Sequence, residues 1–258
     1  MSGYRQAAKQ ESEGFCVMNY SNWMSKLNDS ILLSDASIPG THDSVALFGG
    51  LYSKTQSKTC KEQLECGIRY FDPRPRNYGD GTLPLHHKAQ YMNTTLAELL
   101  QCIENHLQTF PSEVAFLRIK EQNAMAKGKV IVLENYDSGA LKIGYPYDKC
   151  QIQDDFIVES LSSRHVEPKW SAIQQQITVC DQASKSTPPN STNRYWLNHI
   201  SGYGNAATPE ELAKVLNKRL LDYLSQTENS KLRTGFLIMD FPTDDLISAI
   251  INTNDINM

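Results

Sequence analysis

The chain alternates short strand-like runs with helical segments, and this alternation limits its possible folds more than any other feature. Most of the runs are followed directly by polar groups that can do chemistry. The runs cover residues 31–38, 66–71, 82–85, 113–119, 129–133, 194–197 and 234–239. Short runs rich in β-branched and aromatic side chains are typical of strands. If these strands are parallel, the polar groups that follow them meet at one end of a sheet.

Helical signals lie between several of the runs. Thr95 and Thr208 each begin a capping box, with a glutamate three residues later, and Pro209 stands at the first helical position of the second segment. Residues 154–175 are also predicted to be helical. Residues 181–193, which are rich in Ser, Thr, Pro and Asn, are predicted to form a surface loop.

Strand followed by helix, repeated, predicts an α/β fold: a distorted or incomplete (β/α)8 barrel of the TIM type. We expect one catalytic domain over residues 1–258, with residues 1–20 as an N-terminal extension. The eighth strand is hard to place, and residues 176–180 are the candidate for it. A doubly wound sheet is the alternative fold, but no glycine-rich phosphate loop follows the first strand.

The composition fits one such domain and excludes some partners. With 258 residues, 40% of them hydrophobic, the chain is long enough to bury a full core. Its net charge of −4 argues against nucleic acid as a partner, because nucleic-acid-binding proteins concentrate Lys and Arg on one surface. No run of 18 apolar residues predicts a membrane-spanning helix, and residues 1–14 are too polar for the core of a signal peptide.

The cysteines and glycosylation signals bear on the cellular compartment. The six cysteines show no CxxC spacing, so neither a zinc ribbon nor a thioredoxin-type site is indicated, and their even number permits disulfides without requiring them. Asn-x-Ser/Thr sequons begin at Asn19, Asn28, Asn93 and Asn190. They favour a secreted or extracellular protein, with a cytoplasmic location as the alternative.

The segment from Ser37 to Ser44 delivers the first pair of chemical groups. Its apolar residues lead into a Pro-Gly break, and His42 and Asp43 follow at once. This order predicts a strand that places an acid–base pair at the rim of a sheet. Taken alone, a His-Asp pair after a turn is more often part of a solvated loop than a catalytic group.

Two further strand ends supply more polar groups. Asp72 and Arg74 alternate with prolines, so a carboxylate and a guanidinium project together, either as a phosphate-binding fork or as a surface ion pair. His86 and His87 end the third run and face opposite ways. A metal site is an alternative for the two histidines, but no HExxH or comparable ligand set completes it. Acid–base chemistry is favoured, and no metal or cofactor is predicted.

Together, His42, Arg74 and His87 supply what transfer at a phosphodiester requires. These are a base for the attacking hydroxyl, a cation for the developing charge and an acid for the leaving oxygen. Asp240, which follows the last run, is predicted to orient a histidine by accepting a hydrogen bond from its other ring nitrogen. A buried structural carboxylate is the alternative for Asp240.

These motifs resemble those of a known family. Residues 37–44, 67–74 and 85–87 look like the signature of the bacterial-type phosphatidylinositol-specific phospholipase C family, the X-domain fold, in both order and spacing. The resemblance covers most of the chain, because it extends to residues 22–24, 111–120, 128–136 and 236–240.

The resemblance implies a mechanism and a role for each residue of the site. His42 would remove the proton of the inositol 2-hydroxyl, and that oxygen would attack phosphorus. His87 would protonate the diacylglycerol leaving group, which gives inositol 1,2-cyclic phosphate. Asp240 would support His42, Asp43 would pair with His87, and Arg74 would bind the phosphate. Calcium-dependent members carry an acidic residue at the position of Arg74, so the arginine implies independence from metal.

Further positions concern the headgroup. Lys120 and Asp154 match family positions that contact inositol hydroxyls, and Phe156 falls where the family often has a tyrosine beneath the sugar ring. Asn135 and Lys88 depart from the family, because the bacterial enzymes have arginine and glycine there. The preference between free and glycan-linked phosphatidylinositol therefore stays open.

An apolar loop, residues 45–52, directly follows the first motif. Phe48, Leu51 and Tyr52 are predicted to form a membrane rim that dips into the bilayer interface. The alternative is that the loop folds back onto helix residues such as Leu64.

The leading interpretation is a metal-independent phosphodiesterase of the lyase type. It would act on phosphatidylinositol at a membrane surface to which it binds peripherally and transiently, as a monomer. Two alternatives remain at this point: a metal-dependent enzyme related to glycerophosphodiesterases or sphingomyelinase D, and a catalytically silent inositide-binding protein.

Overall fold

The computed structural model describes residues 18–119, 130–135, 144–186 and 194–256. Within these ranges the chain forms ten strands and five α-helices. The strands are β1 (Ile38–Thr41), β2 (Tyr70–Phe71), β3 (Pro84–His87), β4 (Gln90–Thr95), β5 (Ala115–Ile119), β6 (Val130–Glu134), β7 (Tyr145–Pro146), β8 (Gln151–Gln153), β9 (Trp196–His199) and β10 (Phe236–Met239). The helices are α1 (Cys60–Glu65), α2 (Leu96–Thr109), α3 (Ser163–Lys185), α4 (Pro209–Leu224) and α5 (Asp244–Asn252).

Eight of the strands form one parallel sheet in the order β7-β6-β5-β2-β1-β10-β9-β8. The edge strands β7 and β8 are separated along the chain only by residues 147–150. That stretch reaches about 18 Å at most, whereas the edges of a flat eight-stranded sheet lie about 34 Å apart, so the sheet must curl. No ladder joins β7 to β8 among the described residues. The predicted incomplete (β/α)8 barrel in a single domain is confirmed.

Aromatic rings fill the interior of the barrel beneath the site. The ring of Phe236 packs against Phe116 with centroids 4.7 Å apart and against Tyr70 at 5.6 Å. Gly40 permits this packing, because a Cβ at that position would come within 2.8 Å of the Tyr70 Cβ. Side chains two positions apart on a strand share a face. The next interior positions towards the carboxyl ends are therefore polar: His42, Asp72, Arg74, Arg118 and Asp240.

The third run of the sequence is not a barrel strand, so that prediction was wrong. β3 pairs antiparallel with β4 in a separate two-stranded sheet. The tight turn between them places Lys88 at a φ of 53°. An antiparallel hairpin needs only two connecting residues, which is all that separates β3 from β4, whereas a parallel partner would need a long crossover.

The first and eighth strands also differ from the prediction. β1 begins only at Ile38, because residues 33–35 form a 3₁₀ turn. Residues 176–180 lie inside α3, and the short strands β7 and β8 complete the sheet instead. The apolar side chains of Ile173, Ile177 and Cys180 recur at helical spacing and are buried, which explains why this segment is helical.

The ends of α3 correct two further boundaries. The helix begins at Ser163 rather than at residue 154, and it continues to Lys185. The first five residues of the predicted loop 181–193 are therefore helical, and residues 187–193 lie outside the described residues. Of the predicted extension, residues 1–20, only the last three are described.

The predicted capping boxes are confirmed. The Thr95 and Thr208 side chains accept from the backbone N–H of Glu98 and Glu211, and the glutamates bond back to the capping residues. They start α2 and α4, whose buried stripes pack on the outside of the sheet. None of the described helices is long and apolar enough to cross a membrane.

A buried ion pair fastens the segment before β1 to the sheet. Arg69 Nε donates to Glu113 Oε2 at 2.7 Å, and both side chains have no solvent exposure. The guanidinium also donates to the Tyr20 and Ser21 carbonyl oxygens, and Glu113 Oε1 accepts from the Met24 amide. Every charged atom of the pair thus replaces its hydration with directed hydrogen bonds.

Candidate active site

A cavity of about 180 Å³ opens at the carboxyl ends of the strands. Parallel strands bring their carboxyl ends to one edge, so residues far apart in the sequence meet there. The cavity is lined by His42, Arg74, His87, Arg118, Asp154 and Asp240, among others. All of these residues except Arg118 were proposed from the sequence, and the structure brings them to one cavity.

His42 directly follows β1 and is held from both ring nitrogens. Its Nδ1 lies 2.9 Å from Asp240 Oδ1, and its Nε2 lies 2.8 Å from Arg74 Nη2. A guanidinium only donates, so Nε2 accepts and Nδ1 carries the proton. Gln56 Nε2 donates to the carbonyl oxygens of His42 and Met239 at 2.8 and 3.0 Å, which fixes the ends of β1 and β10 together.

The charges around His42 favour its protonated form. Burial alone would lower the pKa of the imidazole, but the carboxylates of Asp43 and Asp240 outweigh burial and raise the pKa above its ordinary value. Burial also raises the pKa of Asp240, against the opposing effect of His42. His42 can therefore take up a proton in a place where two carboxylates stabilise the resulting cation.

Asp43 stands between the two imidazoles. Its Oδ2 lies 3.4 Å from His42 Nε2 and 3.3 Å from His87 Nε2, so the two nitrogens are no further apart than these distances combined. The backbone of Asp43 is left-handed, with a φ of 42°, which Asp adopts more readily than most residues. This conformation lets consecutive residues direct an imidazole and a carboxylate into one cavity.

His87 ends β3, and each of its ring nitrogens faces an oxygen. Its Nδ1 lies 2.7 Å from the Ser53 carbonyl oxygen, which only accepts, so Nδ1 donates. Its Nε2 lies 3.3 Å from Asp43 Oδ2. The backbone of Ser53 therefore holds the ring so that Nε2 is directed towards the carboxylate that also faces His42. His86 faces the other way, as predicted, and packs among exposed tyrosines.

Asp72 is buried and Arg74 is half-buried, so this pair lies at the cavity rather than on the open surface. Arg74 Nε lies 2.5 Å from Asp43 Oδ1, and Nη2 lies 3.6 Å from Asp72 Oδ2. Burial would lower the pKa of Arg74, but the two carboxylates raise it. Burial would raise the pKa of Asp72, but Arg118 and Arg74 hold it well below the usual range of a carboxyl. The fork therefore stays charged.

The described residues contain one cluster with metal-ligand chemistry. Ligand atoms of His42, Asp43 and Asp72 lie within 4.8 Å of one another. The Arg74 guanidinium already bonds His42 Nε2 and lies within ion-pair distance of both carboxylates. A divalent cation would have to displace this fixed charge, so the donor set fits a guanidinium better than a metal ion.

Arg118, which sequence reasoning missed, forms the inner wall of the cavity. Its guanidinium carbon lies 4.2 Å from the centroid of the Tyr147 ring, and Nη1 lies 3.8 Å from Asp72 Oδ2. With its amide in the orientation that satisfies both groups, Asn135 Oδ1 accepts from Nη2 and Nε at 3.0 and 3.3 Å. A cation inside an otherwise apolar strand was the available signal, because β5 has no other charged residue.

His199 lies at the end of β9, just beyond the run at residues 194–197. Its ring lies edge-on to His42 with centroids 6.3 Å apart and is fully buried. Its Nε2 lies 3.2 Å from the Tyr147 hydroxyl and 3.5 Å from Arg118 Nη1. Burial, with the nearby Arg118 and His42, holds the pKa of His199 well below its ordinary value. The site thus contains a third, neutral imidazole.

The predicted headgroup residues are partly brought to the cavity. Asp154 lines it, and burial raises the pKa of this carboxyl against the lowering effect of Arg118. Phe156 also lines it and stacks on Tyr203, with centroids 5.9 Å apart. Within the described ranges, Asn135 reaches the site through its contact with Arg118. Lys120 lies outside the described residues.

Two unpredicted residues narrow the mouth. The Lys88 ammonium lies 4.6 Å from the centroid of the Tyr203 ring, a cation–π distance. Lys88 comes from the β3–β4 turn and Tyr203 from the loop after β9, so the contact joins opposite sides of the opening. For Lys88, its position next to His87 was the available signal in the sequence.

The loop after the first motif is exposed at its tip. Phe48, Leu51 and Tyr52 are 45%, 69% and 50% exposed, and Tyr52 lines the cavity mouth. Val45 packs against the core and Ala46 is buried. Only the beginning of the loop therefore folds inward, and its apolar tip faces solvent beside the mouth.

The fold and the site together define a class: a barrel enzyme with two histidines and a guanidinium in one cavity. The family described as PI-PLC X 1 matches residues 30–130 of the chain. The 1-phosphatidylinositol phosphodiesterase of Listeria monocytogenes is 29% identical over 287 residues, with 91% of this chain and 85% of the relative covered. The enzyme of the same name from Staphylococcus aureus strain Newman is 25% identical, with 90% and 94% covered.

Solved structures agree with the sequence comparisons. The phosphatidylinositol-specific phospholipase C from Listeria monocytogenes superposes with a TM-score of 0.76 at 26% identity, over 92% of this chain and 99% of the other. A variant of the Staphylococcus aureus enzyme gives 0.75 at 22% identity, over 93% and 98%, which supports the fold. These comparisons support the resemblance to the phosphatidylinositol-specific phospholipase C X-domain family that the motifs predicted.

Proposed function

We propose that this protein cleaves phosphatidylinositol to diacylglycerol and inositol 1,2-cyclic phosphate without a metal ion. The single observation that carries the proposal is the shared carboxylate of Asp43, which lies within 3.4 Å of the Nε2 atoms of both His42 and His87. Two imidazoles so placed can serve the two ends of one phosphodiester. The names of the Listeria and Staphylococcus relatives support phosphatidylinositol as the substrate.

In this mechanism one imidazole takes a proton from the substrate, and the other gives a proton to the leaving group. The inositol 2-hydroxyl gives its proton to His42 Nε2, and its oxygen forms the new bond to phosphorus. The bond from phosphorus to the glycerol oxygen breaks, and His87 Nε2 donates the proton that this oxygen needs. Because the nucleophile is part of the substrate, the protein has only to orient it and to polarise it.

The remaining groups stabilise charge. The Arg74 guanidinium, fixed by Asp43 and Asp72, would meet the phosphate oxygens as their charge grows. The Nδ1–H of His42 donates to Asp240, which stabilises the imidazolium that forms when His42 accepts the proton. We assign Asp154, Phe156 and the predicted Lys120 to the inositol ring.

We further propose that the protein acts at a membrane surface as a monomer. The exposed apolar tip of Phe48, Leu51 and Tyr52 stands beside the mouth, where a lipid headgroup would enter. One of the similar solved structures of the Staphylococcus aureus enzyme concerns modulation of its membrane binding. An extracellular location is supported by the disulfide in which Cys66 takes part, because such bonds persist in oxidising compartments.

The test is phosphorus NMR of phosphatidylinositol vesicles incubated with the protein in excess chelator. The proposal predicts inositol 1,2-cyclic phosphate as the first product and no product with His42→Ala. Loss of activity in chelator, with recovery on adding a divalent cation, would favour the metal-dependent alternative. Binding of vesicles without any product, with or without metal, would favour the silent inositide-binding protein.

A further inference from the structure

His199 is fully buried, and its protonation state follows from its neighbours. Arg118 Nη1 lies 3.5 Å from its Nε2, and the Tyr147 hydroxyl lies 3.2 Å from the same atom. A guanidinium cannot accept a hydrogen bond, so Nε2 is an acceptor. The ring is therefore neutral and carries its proton on Nδ1.

That Nδ1–H is an unused donor. It is buried and has no hydrogen-bond partner within the described parts of the chain. A buried donor without a partner is costly, so such groups in native proteins call for an explanation. The nearest acidic oxygen is Asp154 Oδ1, at 3.9 Å. A shift of about 1 Å would bring the two atoms to hydrogen-bond distance.

The side chains of His199 and Asp154 differ in conformational freedom. The backbone of His199 is fixed because its carbonyl oxygen accepts from Lys169 Nζ at 2.5 Å and from Gln153 Nε2 at 3.0 Å. The Asp154 side chain is 37% exposed, follows β8 directly and lines the cavity. In such a pair the imidazole stays in place and the carboxylate moves.

We propose that His199 is a positioning residue: its Nδ1–H holds one oxygen of Asp154, so that the other oxygen accepts a hydroxyl of the bound inositol ring. The inference rests on the proposed function and deepens it. Because the donor is neutral, it orients the carboxylate without cancelling its charge, so the free oxygen remains a strong acceptor. A carboxylate fixed before binding also loses less freedom when the ring arrives.

The chain supplies three informative variants at this position. His199→Phe keeps a ring and removes both nitrogens. His199→Asn places an amide N–H near the position of Nδ1, and His199→Gln places one near Nε2. Asp154→Asn removes the charge from the carboxylate. Circular dichroism and thermal unfolding of each variant verify that it is folded before the kinetics are compared.

The kinetic test uses phosphatidylinositol together with analogues that lack one ring hydroxyl each. We expect His199→Phe to raise KM about 10-fold with little change in kcat, and His199→Asn to restore KM to within about 3-fold of the original protein. His199→Gln should not restore it. The original protein should discriminate against one deoxy analogue, and His199→Phe and Asp154→Asn should both lose that discrimination, with no further loss in the double variant.

A second measurement does not depend on turnover. Nitrogen NMR of histidine-labelled His42→Ala protein should show His199 protonated at Nδ1, and the Nδ1 resonance should shift when inositol 1-phosphate is added. Binding of inositol 1-phosphate to this variant should weaken about 10-fold when His199→Phe is added. An Nε2-protonated ring, or unchanged binding and KM in folded His199→Phe, would overturn the inference. Failure of the original protein to cleave phosphatidylinositol while this binding persists would instead overturn the proposed function alone.

Discussion

Asp240 Oδ1 lies 2.9 Å from Nδ1 of His42, on strands that are neighbours in the sheet but 198 residues apart in the sequence. The backbone of Asp240 is fixed by α4, because Asn217 Nδ2 in that helix donates to the Asp240 carbonyl oxygen at 2.9 Å. The carboxylate fixes which nitrogen of His42 carries the proton, and it raises the pKa of the ring together with Asp43. Both effects are measurable.

Asp240→Asn should lower kcat/KM by about 10²–10⁴-fold, because the base loses its orientation and the charge that stabilises its protonated form. It should also move the acid limb of the pH profile of kcat/KM to lower pH. The active base is neutral His42, which prevails above the pKa of the ring. Loss of the Asp240 carboxylate lowers this pKa, so the active form persists to lower pH. An acid limb that stays in place, or moves to higher pH, would show that Asp240 does not act on the titration of His42.

Replacement of His87 should affect substrates according to their leaving group. His87→Ala should reduce cleavage of phosphatidylinositol by about 10²–10⁴-fold, because the glycerol oxygen leaves as a strong base that needs a proton. A p-nitrophenyl ester of inositol phosphate should lose far less, because nitrophenolate leaves without one. His42→Ala is the matched comparison and should impair both substrates alike. Equal losses for both substrates in His87→Ala would contradict its role as the acid.

Arg74→Lys should lower kcat about 10²–10³-fold at nearly unchanged KM. A single ammonium cannot bond His42 Nε2 while it pairs with Asp43, whereas the fork of the guanidinium does both. Arg76→Lys is the control, because Arg76 is two residues further along and its side chain donates to the Lys88 carbonyl oxygen rather than to His42. Steady-state kinetics in excess chelator should separate the two variants. Comparable losses in both would show that the effect does not come from the fork of Arg74.

The fold was predictable because strand-like runs alternate with helical segments, and the convergence of the strand ends follows from the period-2 alternation of side chains within a strand. Gly40 and His42 share a face, as do Tyr70 and Asp72, so the polar residue after each buried strand points into the same cavity. The strands β7 and β8 were not predicted, because two or three residues are too few to show an alternating pattern of apolar and polar side chains. The hairpin that contains His87 was not predicted either. Its left-handed turn position holds Lys88, whereas glycine or asparagine is the usual signal for such a turn.

Arg118 and His199 could not be assigned for a different reason. Each is a buried polar residue on a strand, and its role depends on partners from other elements. Arg118 in β5 is paired with Asp72, which follows β2, and His199 in β9 is paired with Tyr147, which follows β7. Such long-range pairs have no local signature, so the sequence indicates that these residues are unusual but not what they contact.

Glu113→Ala should lower the free energy of unfolding by about 3–5 kcal/mol. It leaves the wholly buried Arg69 guanidinium without its carboxylate, and an uncompensated buried charge is far costlier than a lost surface pair. Asp222→Ala, which breaks the exposed Lys218–Asp222 pair of α4, is the control and should change stability by no more than about 0.5 kcal/mol. Urea denaturation measures both. Similar small changes in the two variants would show that the buried pair does not anchor the segment before β1.

Replacing Phe48 and Leu51 with serine should weaken binding to phosphatidylinositol vesicles about 10-fold or more, because the apolar tip would no longer enter the bilayer interface. Cleavage of a water-soluble inositol phosphate ester should change by less than about 2-fold, since neither side chain belongs to the acid–base set. Leu32→Ser is the matched control: Leu32 is 45% exposed, as Phe48 is, but it precedes β1 and therefore lies towards the opposite end of the barrel. Vesicle sedimentation and soluble-substrate kinetics on the same preparations decide the matter. Equal losses on vesicles and on the soluble ester would place the loop in the catalytic fold rather than at the membrane.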